Sequence, residues 1–409
     1  MPAFLTHWRI LIETARNSQD AGGDLGSLII DADALRRRAH GWSTPPQTTP
    51  AGAVWDTGPL PEIDFRFPGS DISAMAFLGA LAPDVIYYHS RYLRAKFTDA
   101  YLRAPQARSL QINQAPQWSE LFHRSHSGEL PILFLEQVAL IPAPALRSQA
   151  LAFALGYISH VATDIALNPW ISALAPHAPQ RRARGPHCSF ELLVDEYLAG
   201  SYFEHERYNL LHQPWEGYIE PAARNLSQSG TPTSQLLQIL ASAAEVYRLQ
   251  ENQAATLPAD FLAGLRGLRR FLSGSSGIAR WLALRARSKK AQSDAIHALL
   301  HDSPAGAETI PLEEMLRYAT RLSEHLCRRA INYYTALRNS NAEASERSYQ
   351  RASLVSDLRN WDLYTGYATS SEPATEASLP LHNWVHFSHL WENATPAQEQ
   401  IARLIGQPG

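Results

Sequence analysis

Residues 156–191, GYISHVATDIALNPWISALAPHAPQRRARGPHCSFE, hold two pairs of side chains able to ligate a metal: His160 with Asp164, and His187 with Glu191. Residues four apart on an α-helix share a face, with Cβ atoms about 5–6 Å apart. Such a pair can grip one ion of zinc size, whose nitrogen and oxygen ligands sit at about 2.0–2.2 Å. A metal held this way activates water for hydrolysis if one position stays open. The same spacing also describes a plain polar pair that joins two helices or faces solvent, so spacing alone leaves both readings open. Two features weigh for a metal. The pairs recur on either side of one loop, and a carboxylate such as Asp164, set in an apolar helix, is costly to bury without a cationic partner.

The residues around these pairs resemble a known family. Residues 156–170, FLGALAPDVIYYH at 77–89, HCSFELLVDEY at 187–197 and the opening MPAFLTHWRILIETA occur in the order found in zinc-dependent phospholipases C. The resemblance covers about the first half of the chain. It implies an all-α domain whose two or three zinc ions hydrolyse phosphodiesters, a site related in type to that of the S1/P1 nucleases.

Residue by residue, the resemblance implies that His160 binds one zinc and that Asp164 bridges it to another. Asp84, after Pro83, is implied as a carboxylate on the same ion as His160; its plainer reading is a turn or cap aspartate. A further histidine is expected upstream of the central helix, with His126 first, His123 second and His89 third. His187 and Glu191 are implied on a more open ion, His7 on a third together with Asp164, and Asp195 as the group that orients a ligand histidine. Either Asp84 or Glu191 is the expected proton acceptor for the attacking water. One departure stands out. Asn168 occupies a position where the family carries a histidine, four residues past Asp164, so that ion is either weakly held, absent or completed by His177.

The elements that must position these groups read as helices. Helical periods cover residues 4–16, 73–82 (ending at Pro83), 129–140, 146–167 and 187–203, with a long Gly- and Pro-rich loop between 17 and 70. The helix at 146–167 is apolar nearly all round, which marks a buried central helix. Beyond Pro214 further helices fit 233–252, 258–272, 278–290, 293–300 and 312–337. Alternating β-branched runs are scarce, so the fold class is all-α; the resemblance implies a phospholipase C-like catalytic half over residues 1–215, followed by a helical extension of unknown role over 216–409.

At 409 residues, 45% hydrophobic and 18% charged, the chain has the material for a large core. Its formal net charge of −3 gives no general attraction to nucleic acid. Phospholipid is the substrate class the resemblance implies; the alternatives are a nuclease or small-molecule phosphodiesterase with the same cluster, or a non-catalytic helical protein whose site has degenerated. A basic stretch from Arg266 to Lys290 offers a membrane-surface contact, read against an ordinary solvated arginine face. No basic and apolar leader opens the chain, and no stretch was expected to span a bilayer, so the expected location is cytoplasmic. His382, His386 and His389 have spacing for a second metal site, but Trp384 and Trp391 beside them favour aromatic packing. His297 and His301 read as a surface pair, and Cys188 as a core residue.

Overall fold

A long apolar segment with no polar stripe has to be covered on every side, and here it forms the axis of the molecule. The computed structural model describes residues 4–20, 71–89, 118–174, 191, 194, 195, 198, 232–248, 253–273, 310, 312–368 and 382–391. Among these, 85% are helical and none lies in a strand, so the all-α class holds. The helices are α1 (Phe4–Asp20), α2 (Asp71–Val85), α3 (Trp118–Arg124), α4 (Glu129–Leu140) and α5 (Pro144–Leu174). They continue with α6 (Pro232–Ala243), α7 (Gln253–Ser273), α8 (Leu312–Arg338), α9 (Ala344–Leu358) and α10 (Asn383–His386). The expected loop beyond Asp20, the short basic loop before His187, His177, His187, Cys188, His297 and His301 lie outside the described residues, as do the helices expected at 278–290 and 293–300.

Helix α5 is the central element, packed by α2, α8, α4 and α1. It is long and apolar enough to cross a bilayer by composition, unlike the sequence expectation, and its apolar window is wholly buried in the protein. The α2–α5 crossing is unusually close because both helices present glycine there. A Cβ on Gly156 would fall 2.0 Å from the Ala76 carbonyl oxygen, and one on Gly79 would fall 2.1 Å from that of Phe153. Pro83 does not end α2 as expected. It removes one backbone hydrogen bond, yet only Asp84 and Val85 follow it in the helix. A 3-10 turn, Ile86–Tyr88, then packs under α7. Asp84 therefore sits on the last helical turn rather than on a loop.

Helix α8 is amphipathic, burying Leu312, Met315, Leu316, Ala319, Leu322, Leu326 and Ala330 at helical spacing against α5. One hydrophobic core takes side chains from both sides of residue 215, including Ile158 of α5 and Leu326 of α8. A chain of buried hydroxyls fixes the register of three helices. Thr14 of α1 donates to Ser323 of α8 at 2.9 Å, and Ser323 donates to Ser159 of α5 at 2.9 Å.

The histidines of the tail divide into two roles. Asp357 of α9 accepts from His325 at 2.9 Å and Arg329 at 3.2 Å, with His386 at 3.7 Å. Burial opposes its charge, but these partners hold its carboxyl well below the usual carboxylate range. His382 instead caps α10: its Nδ1 accepts the Trp384 backbone N–H, and its Nε2 lies 3.1 Å from the Thr365 carbonyl. Trp384 and Trp391 are buried, and Trp391 stacks on Tyr318 at 4.2 Å. This segment packs as an aromatic patch.

Burial pushes the His382 pKa down to about 4, and its bond to Thr365 opposes this only in part. The unfolded ring titrates near 6.5, so between the two values the unfolded chain holds the extra proton. The stability that His382 contributes is therefore complete above about pH 6.5 and is lost as pH falls toward 4, by about 3 kcal/mol at most. Urea midpoints at pH 7 and pH 5 should separate less in a His382→Asn variant, which keeps a capping side chain, than in the natural chain. Equal separations would remove His382 as the titrating group.

Candidate metal centre

Five titratable side chains converge where α1, α2, α3 and α5 meet: His7, Asp84, His123, His160 and Asp164, all buried. His160 and Asp164 share one face of α5, and Asp84 faces them from the end of α2. The glycine crossing lies one helical turn away from this point. His160 Nδ1 reinforces the crossing with a 2.8 Å hydrogen bond to the Ala80 carbonyl. His123, in the last turn of α3, places its Nδ1 2.5 Å from the Ser119 carbonyl. Each of these two rings thus donates from Nδ1 and turns Nε2 toward the centre, the arrangement in which a backbone carbonyl fixes the tautomer of a metal-ligating imidazole.

The donors close into a compact figure. His123 Nε2 lies 3.2 Å from Asp84 Oδ1, 3.1 Å from Asp164 Oδ2 and 3.4 Å from His160 Nε2. His160 Nε2 is 3.2 Å from Asp164 Oδ2 and 4.0 Å from Asp84 Oδ2. Tetrahedral zinc with ligands at about 2.0–2.1 Å has ligand–ligand edges of about 3.3–3.4 Å. Four of these separations fall near that edge, while His160 to Asp84 is longer at 4.0 Å, so the four side chains form a candidate four-donor set that closes fully only if Asp84 moves in. The other oxygen of Asp164 points elsewhere: Oδ1 is 3.3 Å from His7 Nε2. Asp164 thus turns one oxygen to each of two positions, as a bridging carboxylate does. Two metal-competent triads result, His7 with His160 and Asp164, and Asp84 with His123 and His160. One imidazole nitrogen binds one ion, so His160 completes the four-donor set and leaves His7 with Asp164 Oδ1 as the start of a second.

The electrostatics fit such a centre. Burial works against a charged ring at His123, but hydrogen bonds to Asp164 and Asp84 outweigh it and hold its pKa well above the ordinary value. His160 is raised too, by the charges of Asp164 and Asp84 acting against burial. His7 is driven well below the ordinary value by burial and by the neighbouring charge of His160, on which its ring stacks at 3.9 Å. Burial also opposes the charge on Asp164, but His160 and His123 keep it ionised far below the usual range. Asp84 Oδ2 is buried without a hydrogen-bond partner, an atom that a bound metal ion or its water would satisfy. The residues fit a borderline divalent ion; the donor set suits zinc and, by the same chemistry, cobalt or nickel.

Other expected residues stand elsewhere. His126 is not in the cluster: its φ is 52°, and its ring pairs with Glu129 at 2.8 Å on the surface. His123, one turn earlier on α3, occupies the place. His89 ends the 3-10 turn after α2 and belongs to neither triad. Asn168 does not face the centre as a ligand; its Nδ2 donates to the Leu363 carbonyl at 3.0 Å. Asp195 accepts from the backbone N–H of Thr6 at 3.2 Å and from its hydroxyl at 2.9 Å, fixing the residue beside His7. Glu191 is half-buried and helical, and its intended partner His187 is outside the described residues. Of the basic stretch, Arg266 is exposed on α7, and most of the remainder is likewise outside. The sequence reading also passed over Tyr364, whose ring stacks on His123 at 5.5 Å, and Tyr87, whose hydroxyl meets that of Tyr364 at 2.5 Å. The alternation of apolar and aromatic residues near position 361 gave no sign of where they would dock.

Comparison with family models, curated proteins and solved structures finds no match for this chain.

Proposed function

We propose that this chain is a divalent-metal-dependent phosphodiester hydrolase, of the phospholipase C kind that its motifs resemble, with zinc as its metal. The observation that carries the proposal is the convergence of Asp84, His123, His160 and Asp164, four of whose donor separations lie at 3.1–3.4 Å, near the edge of a tetrahedral site. Bound divalent ions supply a water that loses its proton near neutral pH and positive charge to offset that on phosphate oxygens. The chain's own groups do the rest. His160 and His123, held by carbonyl hydrogen bonds, keep their Nε2 atoms aimed inward. Asp164 spans two positions. Asp84 keeps one carboxylate oxygen free of hydrogen bonds, which suits it to accept a proton from an attacking water.

The complete burial of His160 and the near-complete burial of its four neighbours favour a second reading, a helical protein that keeps the cluster as a structural metal site. One experiment separates the two. The purified full chain should carry zinc by elemental analysis and hydrolyse a chromogenic phosphodiester. Release of phosphocholine or phosphoethanolamine from lipid vesicles, set against cleavage of single-stranded nucleic acid, then assigns the substrate class. Bound metal without turnover of any phosphodiester would leave the structural site; a chain that takes up no divalent metal would overturn both.

A further inference from the structure

Three of the four donors ride on the rigid α2–α5 pair, and the fourth does not. His123 stands in the final turn of α3, a helix of 7 residues. The last carbonyls of a helix have no partner inside it, and short helices fray from their ends. Something outside α3 has to hold His123 in place.

The geometry points to the turn that follows α9. The Leu363 N–H donates to the His123 carbonyl at 2.7 Å, filling one of those open carbonyls. The Leu363 carbonyl in turn accepts from Asn168 at 3.0 Å. Asn168 is buried on α5, one turn beyond Asp164. The backbone of a single residue, Leu363, therefore bridges the helix that carries His160 and Asp164 to the helix that carries His123. The turn is itself well set. Asp362 Oδ1 accepts the Tyr364 N–H at 2.9 Å, and the Gly366 N–H returns to the Asp362 carbonyl at 2.8 Å. Trp361 and Leu363 are buried, and Ser127 donates to the Trp361 carbonyl at 2.6 Å. Tyr364 then lies against the face of the His123 imidazole, with Tyr87 bonded to its hydroxyl.

We infer that Asn168 is a positioning residue: through Leu363 it braces His123 as a metal ligand, making the turn at residues 361–368 part of the centre. The inference rests on the metal reading of the cluster given above. It also accounts for an amide at a place where a ligating side chain was expected. An amide N–H can hold a carbonyl, whereas a carboxylate cannot.

Cobalt(II), which reports its coordination through visible absorption, is the probe, titrated into the metal-free full chain. The natural chain should bind cobalt with the intense bands of a four-coordinate site. Asn168→Ala should weaken binding roughly 10-fold to 100-fold, the range for groups that orient ligands, and shift the bands toward the weak absorption of higher coordination. Asn168→Asp is the sharper variant. If Asn168 only marked a vacant ligand position, a carboxylate would tighten binding. As a brace it should loosen binding at least as much as alanine does, because two acceptors would then face each other at Leu363. Tyr333→Phe serves as the control, since it removes a hydrogen bond from α8 to Glu136 of α4, away from the bridge; whatever it costs in stability, it should leave affinity and spectrum unchanged. Unaltered cobalt binding in Asn168→Ala, or tighter binding in Asn168→Asp, overturns the inference while the metal centre stands. No uptake of cobalt or zinc by the natural chain overturns the metal reading and the brace with it.

Discussion

A His160→Ala variant should lose bound divalent metal and phosphodiester hydrolysis together. Structural zinc sites contribute about 10–16 kcal/mol through about four ligands, so one ligand is worth roughly 3 kcal/mol. That corresponds to a loss of about 100-fold to 1,000-fold in affinity, and turnover should fall to the level of the metal-free protein. Stability should drop as well, for a separate reason. His160 faces Asp164 at 3.2 Å in a site where its own exposure is 0%. Removing one member of a buried ion pair costs about 3–5 kcal/mol when the other is left uncompensated, and His123, still 3.1 Å from Asp164, keeps the loss at the low end of that range. Elemental analysis and a urea titration of the same preparation read the two effects apart. Retained zinc with retained hydrolysis would end the assignment, however large the change in stability.

Gly156→Ala is expected to be nearly as damaging, although Gly156 touches no donor. The added Cβ would meet the Ala76 carbonyl oxygen at 2.0 Å and the Ala80 nitrogen at 2.8 Å. Both are backbone atoms on a packed helix, so no side chain can swing aside and α2 must move away from α5. Overpacking of this kind costs about 1–3 kcal/mol, and more where whole elements shift; about 3 kcal/mol is expected here. The same movement would stretch the His160–Ala80 hydrogen bond and carry Asp84 away from His123. Metal affinity should therefore fall further than the loss of stability accounts for. An unfolding midpoint equal to that of the natural chain would show that the two helices are not held as close as described.

Much of this arrangement was legible in the residues, and the failures have identifiable causes. The apolar run ending at Leu167 announced a buried helix, and the four-residue step from His160 to Asp164 placed both on one face. The choice of His126 over His123 was an error of context. His126 sits in SHSGE, where Ser and Gly mark a turn and Glu129 offers a surface partner, whereas His123 closes the apolar WSELF run. Pro83 misled because a proline is costly inside a helix but tolerable two residues from its end. The role of Asn168 was not legible, since its partner is the Leu363 carbonyl, 195 positions away. Backbone partners leave no mark in a side-chain pattern. Helix α9, at Ala344–Leu358, was missed for a related reason: it buries only Leu354 and Leu358, too little apolar material to show a period.

The peptide bridge at Leu363 has a consequence for how the protein matures. A ribosome delivers His7, Asp84, His123, His160 and Asp164 long before it reaches residue 363, so a nascent chain would expose the carboxylates and imidazoles with one of them still unanchored. Closing so wide a loop is entropically expensive and comes late. The bracing of His123 is thereby tied to a segment made more than 200 residues after it, and the five clustered side chains are complete as a group only once that segment has docked.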